Sequence, residues 1–301
     1  MKIILFSTSD NFIGSIPECL LEKKHKLPAI VCGEIGSKEK DFLKEKGVEI
    51  INISGMDSGM FGEKLKKYNP DLFVVVSFGR IFTKEFLKIP KIGAVNIHFS
   101  LLPRYRGPAP IEWAVFNGEK TTGVTVFFIN EKIDSGDIII QRKFGIGALE
   151  SAEHLYGRLS GAACGILCEA LEFIQDKSFS PRAQKGCASS APLIKKENGK
   201  VDFKTEAASR IFRKVIAFSG RINVFAFLGR QRLIIREAKE VPDCGRSRPG
   251  SVCKLLKGEG FVVKCGKGSL LVTKVKPEGK RQMSGWEFAI GRRIKEGSLF
   301  C

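Results

Sequence analysis

"DLFVVVSF", residues 71–78, is apolar almost without a break. A strand with one wetted face alternates apolar and polar residues. A run without alternation is buried on both faces, as in a parallel sheet with helices above and below. Working outward, "KIILF" (2–6), "PAIVC" (28–32), "VEIINI" (48–53) and "GAVNIH" (93–98) read as its companion strands. Helices are predicted between them near 11–23, 38–46, 57–68 and 108–117. Ser9 or Asp10 suits the cap of the first, Pro17 puts a kink in it, and Pro108 and Pro110 fit the first turn of the last. This alternation gives an α/β fold, a doubly wound and mostly parallel sheet. Such sheets bind ligands at the carboxyl ends of their strands, where the strand order reverses.

Further along, "GVTVFFI" (123–129) and "DIIIQRK" (137–143) read as a hairpin, and 151–176 as a long helix that starts at Ser151. The stretch 175–200 is poor in apolar residues and rich in Ser, Lys and Pro, the composition of a linker. A helix at 207–217 then precedes five short strands, "VFAFLG", "QRLIIREAKEV", "GSVCKLL", "GFVVKCG" and "SLLVTKVKP". Short strands at this spacing predict a small β-barrel, OB-like in size. The expected organisation is a catalytic domain over 1–184, a linker over 185–206 and a smaller C-terminal OB-like β-barrel domain over 207–301.

Composition is that of a globular protein, with 43% hydrophobic and 27% charged residues. No run of about 18 apolar residues exists to cross a membrane. The first residues, "MKIILFSTSD", read as a strand rather than a signal peptide, so a cytoplasmic location is expected, with an organellar matrix also open. The nine cysteines include no Cys-x-x-Cys pair, which argues against a disulfide framework and against a structural metal. Cys164 and Cys168, one helical turn apart, read as small buried hydrophobes. Charge is uneven: residues 201–301 carry 22 Lys/Arg against 9 Asp/Glu, residues 1–200 carry 28 against 23. A basic C-terminal third points to a polyanionic partner, with a solvated basic surface as the plainer reading.

"AVNIHFSLLPRYRGPAPIEWAV" (94–115) carries the chemistry. Strand alternation turns Asn96 and His98 to one face and Val95 and Ile97 to the other. An amide and an imidazole at a strand's carboxyl edge suit the holding of a carbonyl oxygen, or are a polar pair satisfied by a loop. Pro103 keeps Leu102 extended, so Ser100–Pro103 offers backbone groups to the edge of a flat heterocycle. In "KIDSGDIII" (132–140), Asp134 sits in a tight turn, as an Asx turn or as a carboxylate partner for the imidazole. His25 reads as a solvated surface residue, His154 as locally bonded near a helix start, and Trp113 and Trp286 as packing anchors.

"NIHFSLLPRYRGPAPIEWAVFNG" together with "KIDSGD" resembles the folate-dependent formyltransferase family, with its Asn-x-His-x-Ser-Leu-Leu-Pro-x-Tyr/Trp-Arg-Gly signature and Asp-x-Gly turn. "DLFVVVSFGRIF" resembles the strand and loop that border the family's folate pocket. "SSAPLIKKENGKVDF", "PGSVCKLLKGEGFVV" and "VKPEGKRQMSGWEF" resemble the linker and basic domain of members that act on charged tRNA. The resemblance implies a Rossmann-like formyltransferase core, a catalytic set of Asn96, His98 and Asp134, and tetrahydrofolate binding by Ser100, Leu101, Leu102 and Pro103. It further implies 10-formyltetrahydrofolate as cosubstrate, initiator methionyl-tRNA as acceptor, a monomer, and no metal or nicotinamide. On that reading an imidazolium at His98, kept charged by Asp134, and the Asn96 amide hold the formyl oxygen. Lys280, Arg281, Arg292 and Arg293 are the expected tRNA contacts. Another amine acceptor, or a non-catalytic RNA-binding role, is the alternative. The chain departs from the family at Phe99, where a small residue is usual beside the histidine. It also departs at "FSTSDN", at the short segment 33–46, and at "AFSGRINVF".

Overall fold

A computed structural model describes residues 1–53 and 58–300. The chain divides into two compact units, the first from 1–110, 121–145 and 156–192, the second from 111–120, 146–155 and 193 onward.

The first unit is built on seven strands: β1 (Lys2–Ser7), β2 (Lys26–Cys32), β3 (Glu49–Asn52), β4 (Leu72–Val76), β5 (Gly93–His98), β6 (Thr121–Phe128) and β7 (Ile138–Gly145). They lie in the order β3-β2-β1-β4-β5-β6-β7. β1 to β5 are parallel, and β6 and β7 run antiparallel to their neighbours. The order reverses between β1 and β4, and β5 is the last parallel strand. Every residue of β4 is buried, as its unbroken apolar run requires.

The connecting helices are α1 (Asp10–Ile13), α2 (Ser15–Glu22), α3 (Ser37–Glu45), α4 (Ser58–Lys66), α5 (Lys84–Leu87), α6 (Pro110–Phe116) and α7 (Ala152–Gln175). The predicted helix 11–23 is broken at Gly14, so Pro17 falls in the first turn of α2 and kinks nothing. The one-turn α5, capped by the Thr83 hydroxyl on Phe86 N–H, was not predicted, being too short for a periodic signal. Residue 57, the predicted start of α4, lies outside the described residues. On one face of the sheet, Ile4, Phe6, Ala29, Val31, Phe73, Val75 and Ala94 form a continuous core. Phe6 is its centre, in edge-on contact with Phe73, Phe78 and Phe82 at 4.9–5.4 Å between ring centres. Ala94 begins a row on β5 that continues through Asn96 to His98 on the same face.

In the second unit, helix α8 (Ala208–Phe218) precedes β8 (Phe225–Leu228), β9 (Gln231–Val241), β10 (Val252–Leu256), β11 (Gly260–Lys264), β12 (Ser269–Pro277), β13 (Met283–Ser284) and helix α9 (Gly285–Gly291). The antiparallel sheet has the order β10-β11-β12-β9-β8. Its two edges are joined by the chain's end: Leu299 bridges to Ser251 and Phe300 to Leu228. This closes the predicted barrel with a segment that gave no strand signal. Phe300 is buried and stacks on Phe261 at 5.6 Å.

Candidate active site

His98 ends β5, opposite Thr125 of β6. Its ring is buried in edge-on contact with Phe127. Nε2 lies 2.8 Å from the carbonyl oxygen of Tyr105, which only accepts, so the proton of the neutral ring is on Nε2. Nδ1 is 3.7 Å from Asp134 Oδ2. Burial pushes the His98 pKa below its ordinary value, against the opposing pull of Asp134 and the Tyr105 carbonyl. Where a resting imidazolium was expected, burial favours the neutral imidazole, with a carboxylate placed to receive the charged form.

The carboxylate is held independently. Gly107 N–H donates to Asp134 Oδ2 at 2.7 Å. Asp134 and Tyr105 both occupy the left-handed region, at φ 46° and 59°. These conformations aim the Asp134 side chain and the Tyr105 carbonyl at the same imidazole. Gly136 follows because a Cβ there would collide with the Phe128 carbonyl, and one on Gly107 would come within 2.6 Å of the Ala191 oxygen. The Asn96 side chain is half-buried, and among the described residues its amide has no hydrogen-bond partner. A donor is left free on the face that leads to His98.

Ser100–Pro103 is fixed from below. Ser100 Oγ donates to the Arg104 carbonyl at 2.6 Å. The Thr125 hydroxyl donates to the Ser100 carbonyl at 2.6 Å, and Gln141 Nε2 donates to Thr125 Oγ1 and the Leu102 carbonyl at 2.8 and 3.1 Å. The Leu102–Pro103 peptide is cis. Ser100 and Leu102 are buried, Leu101 and Pro103 partly exposed.

Part of the stretch that read as a linker is built into this site. Gln184 Nε2 donates to the carbonyls of Asp134 and Gly136, both at 2.9 Å, while its Oε1 accepts from Arg106 at 2.7 Å. Ser189 Oγ accepts from Tyr105 N–H at 2.9 Å, and Ala191 N–H donates to the Arg106 carbonyl at 2.6 Å. Gln184, Ser189, Thr125 and Gln141 were missed by sequence reading. For Thr125 and Gln141 a signal existed, since they face each other on two predicted strands.

Phe99 does not crowd His98. It turns the other way and stacks on Phe12 at 5.7 Å, with Tyr156 edge-on at 5.7 Å. At the end of neighbouring β4, the loop 78–83 borders a cavity of about 330 Å³ lined by Ile53, Phe61, Phe78, Ile81, Phe82 and Phe86. Lys280, Arg281, Arg292 and Arg293 are exposed in the second unit, and none is ion-paired among the described residues. His25 is half-buried, with Nδ1 3.3 Å from the terminal amine, rather than solvated. His154 is exposed, its N–H bonded to Ser151 Oγ. Trp113 packs edge-on against Phe116 and Phe218, both at 5.6 Å.

An amide, an imidazole and a carboxylate on the rim of a doubly wound sheet, followed by a closed antiparallel barrel, define a two-domain group-transfer fold. The formyl transferase family model matches residues 16–171, and that of the formyl transferase C-terminal domain matches 193–293. A methionyl-tRNA formyltransferase of Caldanaerobacter subterraneus subsp. tengcongensis is 34% identical over 265 residues, 87% of this chain and 85% of its own. Among solved structures, the methionyl-tRNA formyltransferase from Clostridium thermocellum has a TM-score of 0.58 at 21% identity, over 80% of this chain and 94% of its own. HypX from Aquifex aeolicus, in complex with tetrahydrofolic acid, reaches 0.68 at 21%, over 96% of this chain and 47% of its own. The chain belongs to the formyl transferase family, in its methionyl-tRNA formyltransferase branch.

Proposed function

We propose that this enzyme moves the formyl group of 10-formyltetrahydrofolate to the α-amine of initiator methionyl-tRNA. The observation that carries the reading is a free Asn96 amide on the same strand face as the His98–Asp134 pair, beside the rigid Ser100–Pro103 segment. The solved relative that binds tetrahydrofolic acid supports the cosubstrate.

The amine attacks the formyl carbon, and negative charge gathers on the formyl oxygen. Asn96 donates to that oxygen. His98 Nδ1, unprotonated at rest, takes the proton released by the attacking nitrogen, and the imidazolium so formed is stabilised by Asp134. Collapse breaks the bond to folate N10, which receives the proton, and formyl-methionyl-tRNA leaves. Tetrahydrofolate lies along Ser100, Leu101, Leu102 and Pro103, with the loop 78–83 at its border. No step uses a metal or nicotinamide. Residues 1–184 hold the catalytic groups, 185–206 connect while Ser189 and Ala191 brace the site, and 207–301 grip the tRNA backbone through Lys280, Arg281, Arg292 and Arg293. The enzyme works as a monomer in the cytoplasm.

Four phosphate contacts would weaken tRNA binding on the order of 100-fold between 50 and 200 mM salt. Formylation of initiator and elongator methionyl-tRNA is measured at both concentrations. A rise of this size in the KM for tRNA, with the initiator preferred, is expected. A KM indifferent to salt, or faster transfer to a small amine, overturns the acceptor.

A further inference from the structure

Three cysteines on two helices converge outside the set of residues already described. Cys19 lies on α2, Cys164 and Cys168 one turn apart on α7, and their sulfurs all lie within 4.8 Å of one another. Some 149 residues separate Cys19 from Cys168, so the fold alone assembles the group. Cys164 Sγ is 3.7 Å from the Ser15 carbonyl oxygen, and Cys19 Sγ is 3.8 Å from the Cys164 carbonyl oxygen. Cys19 and Cys164 are half-buried and Cys168 is buried, which leaves an entry path on one side. Glu18 and Glu22, one turn apart on α2, both act electrostatically on Cys164.

We propose that this Cys19–Cys164–Cys168 cluster binds one divalent d10 cation of the zinc class, with a water as fourth ligand. Three converging thiols are a soft donor set, and because a tetrahedral ion bonded at about 2.3 Å holds its sulfurs just under 4 Å apart, Cys19 and Cys168, which stand in direct contact, would separate to take it. The neighbouring carboxylates favour a divalent ion over copper(I), which takes sulfur and gains nothing from a hard oxygen. As each sulfur–metal bond forms, its thiol releases one proton to solvent, with no change of oxidation state. The bound ion ties α2 to α7 beside the Lys23–Glu172 ion pair that already joins them at 3.2 Å.

Cys19 and Cys168 also face each other as a disulfide pair, with Cα atoms 7.6 Å apart. That separation exceeds the usual reach of a bridge, about 7 Å, so the reduced trio is the form taken to bind the ion.

The test uses the whole protein, reduced and freed of metal without exposure to air. Cadmium(II), the probe, is titrated while thiolate-to-metal absorption is followed, and bound zinc is counted after loading with zinc alone. One equivalent is expected. Cys19→Ser, Cys164→Ser and Cys168→Ser should each weaken binding by more than about tenfold. Cys187→Ser, at an exposed cysteine elsewhere, should not. Because a buried substitution can fail to fold, alkylation of the unaltered protein is run in parallel. Zinc should protect Cys19, Cys164 and Cys168 and leave Cys187 reactive. Absence of a one-to-one complex, protection spread evenly over all cysteines, or a Cys19–Cys168 disulfide in protein isolated without air would overturn the site.

Discussion

At the residue scale the site turns on the resting charge of one imidazole. Burial favours the neutral form of His98 and lowers its pKa from the ordinary 6.5. The unfolded chain takes up a proton near that value and the folded chain only further down. The contribution of His98 to stability is thus complete above 6.5 and is lost as pH falls toward the folded value. The same sign governs catalysis by a neutral base. The acidic limb of kcat/KM is expected below 6.5, and a limb above it would contradict the protonation state assigned here. Asn96 is tested separately. Asn96→Asp replaces a donor by a carboxylate where negative charge collects, and kcat should fall roughly 10²–10³-fold with the folate KM little changed. Turnover near that of the unaltered enzyme would remove Asn96 from the mechanism. Asn96 and His98 were legible because alternation along a strand is a local rule. The Tyr105 carbonyl that fixes the ring proton was not, because a left-handed tyrosine leaves no mark in sequence.

At the scale of elements, the informative one is the stretch 182–191, whose composition read as linker. Its backbone pairs with Ile138 through Arg182 and with Arg106 through Ala191. Its Gln184 ties the 134–136 turn to Arg106. Polar composition describes what a segment lacks for a core of its own, and this one is ordered by hydrogen bonds to other loops instead. Gln184→Ala frees two carbonyls and one guanidinium. A small displacement of Asp134 should lower kcat by about 10- to 100-fold with the KM for tRNA unchanged. The stability cost should be about 1–3 kcal/mol. If kcat falls only in proportion to the folded fraction, Gln184 supports the fold without positioning the carboxylate. Helix α1–α2 gives the converse lesson: its residues were read correctly as helical, and only Gly14 decided that the helix is two.

At the scale of the molecule, the second unit depends on its last residues. Phe300 fills the barrel between Phe261 and Phe203, at 5.6 and 5.3 Å, and its backbone bridges to Leu228 at one sheet edge while that of Leu299 bridges to Ser251 at the other. Phe300→Ala should cost about 3–5 kcal/mol in denaturant unfolding of the C-terminal unit. Loss of tRNA affinity should accompany it, and a change below about 1 kcal/mol would show that the barrel closes without this residue.

By itself the sequence determined the layers: unbroken apolar runs require a covered parallel sheet, and short basic strands require a small barrel, because burial periodicity is written residue by residue. It also determined one face of the site, Asn96 and His98. Only the tertiary structure decided which distant groups meet there, Asp134 and Gln184 with the imidazole and Cys19 with Cys164 and Cys168. Spacing along a chain carries no distance across it. Only the tertiary structure, too, decided that burial pushes this histidine toward its uncharged form, since desolvation is a property of everything packed around a group and not of the group's own position in the chain.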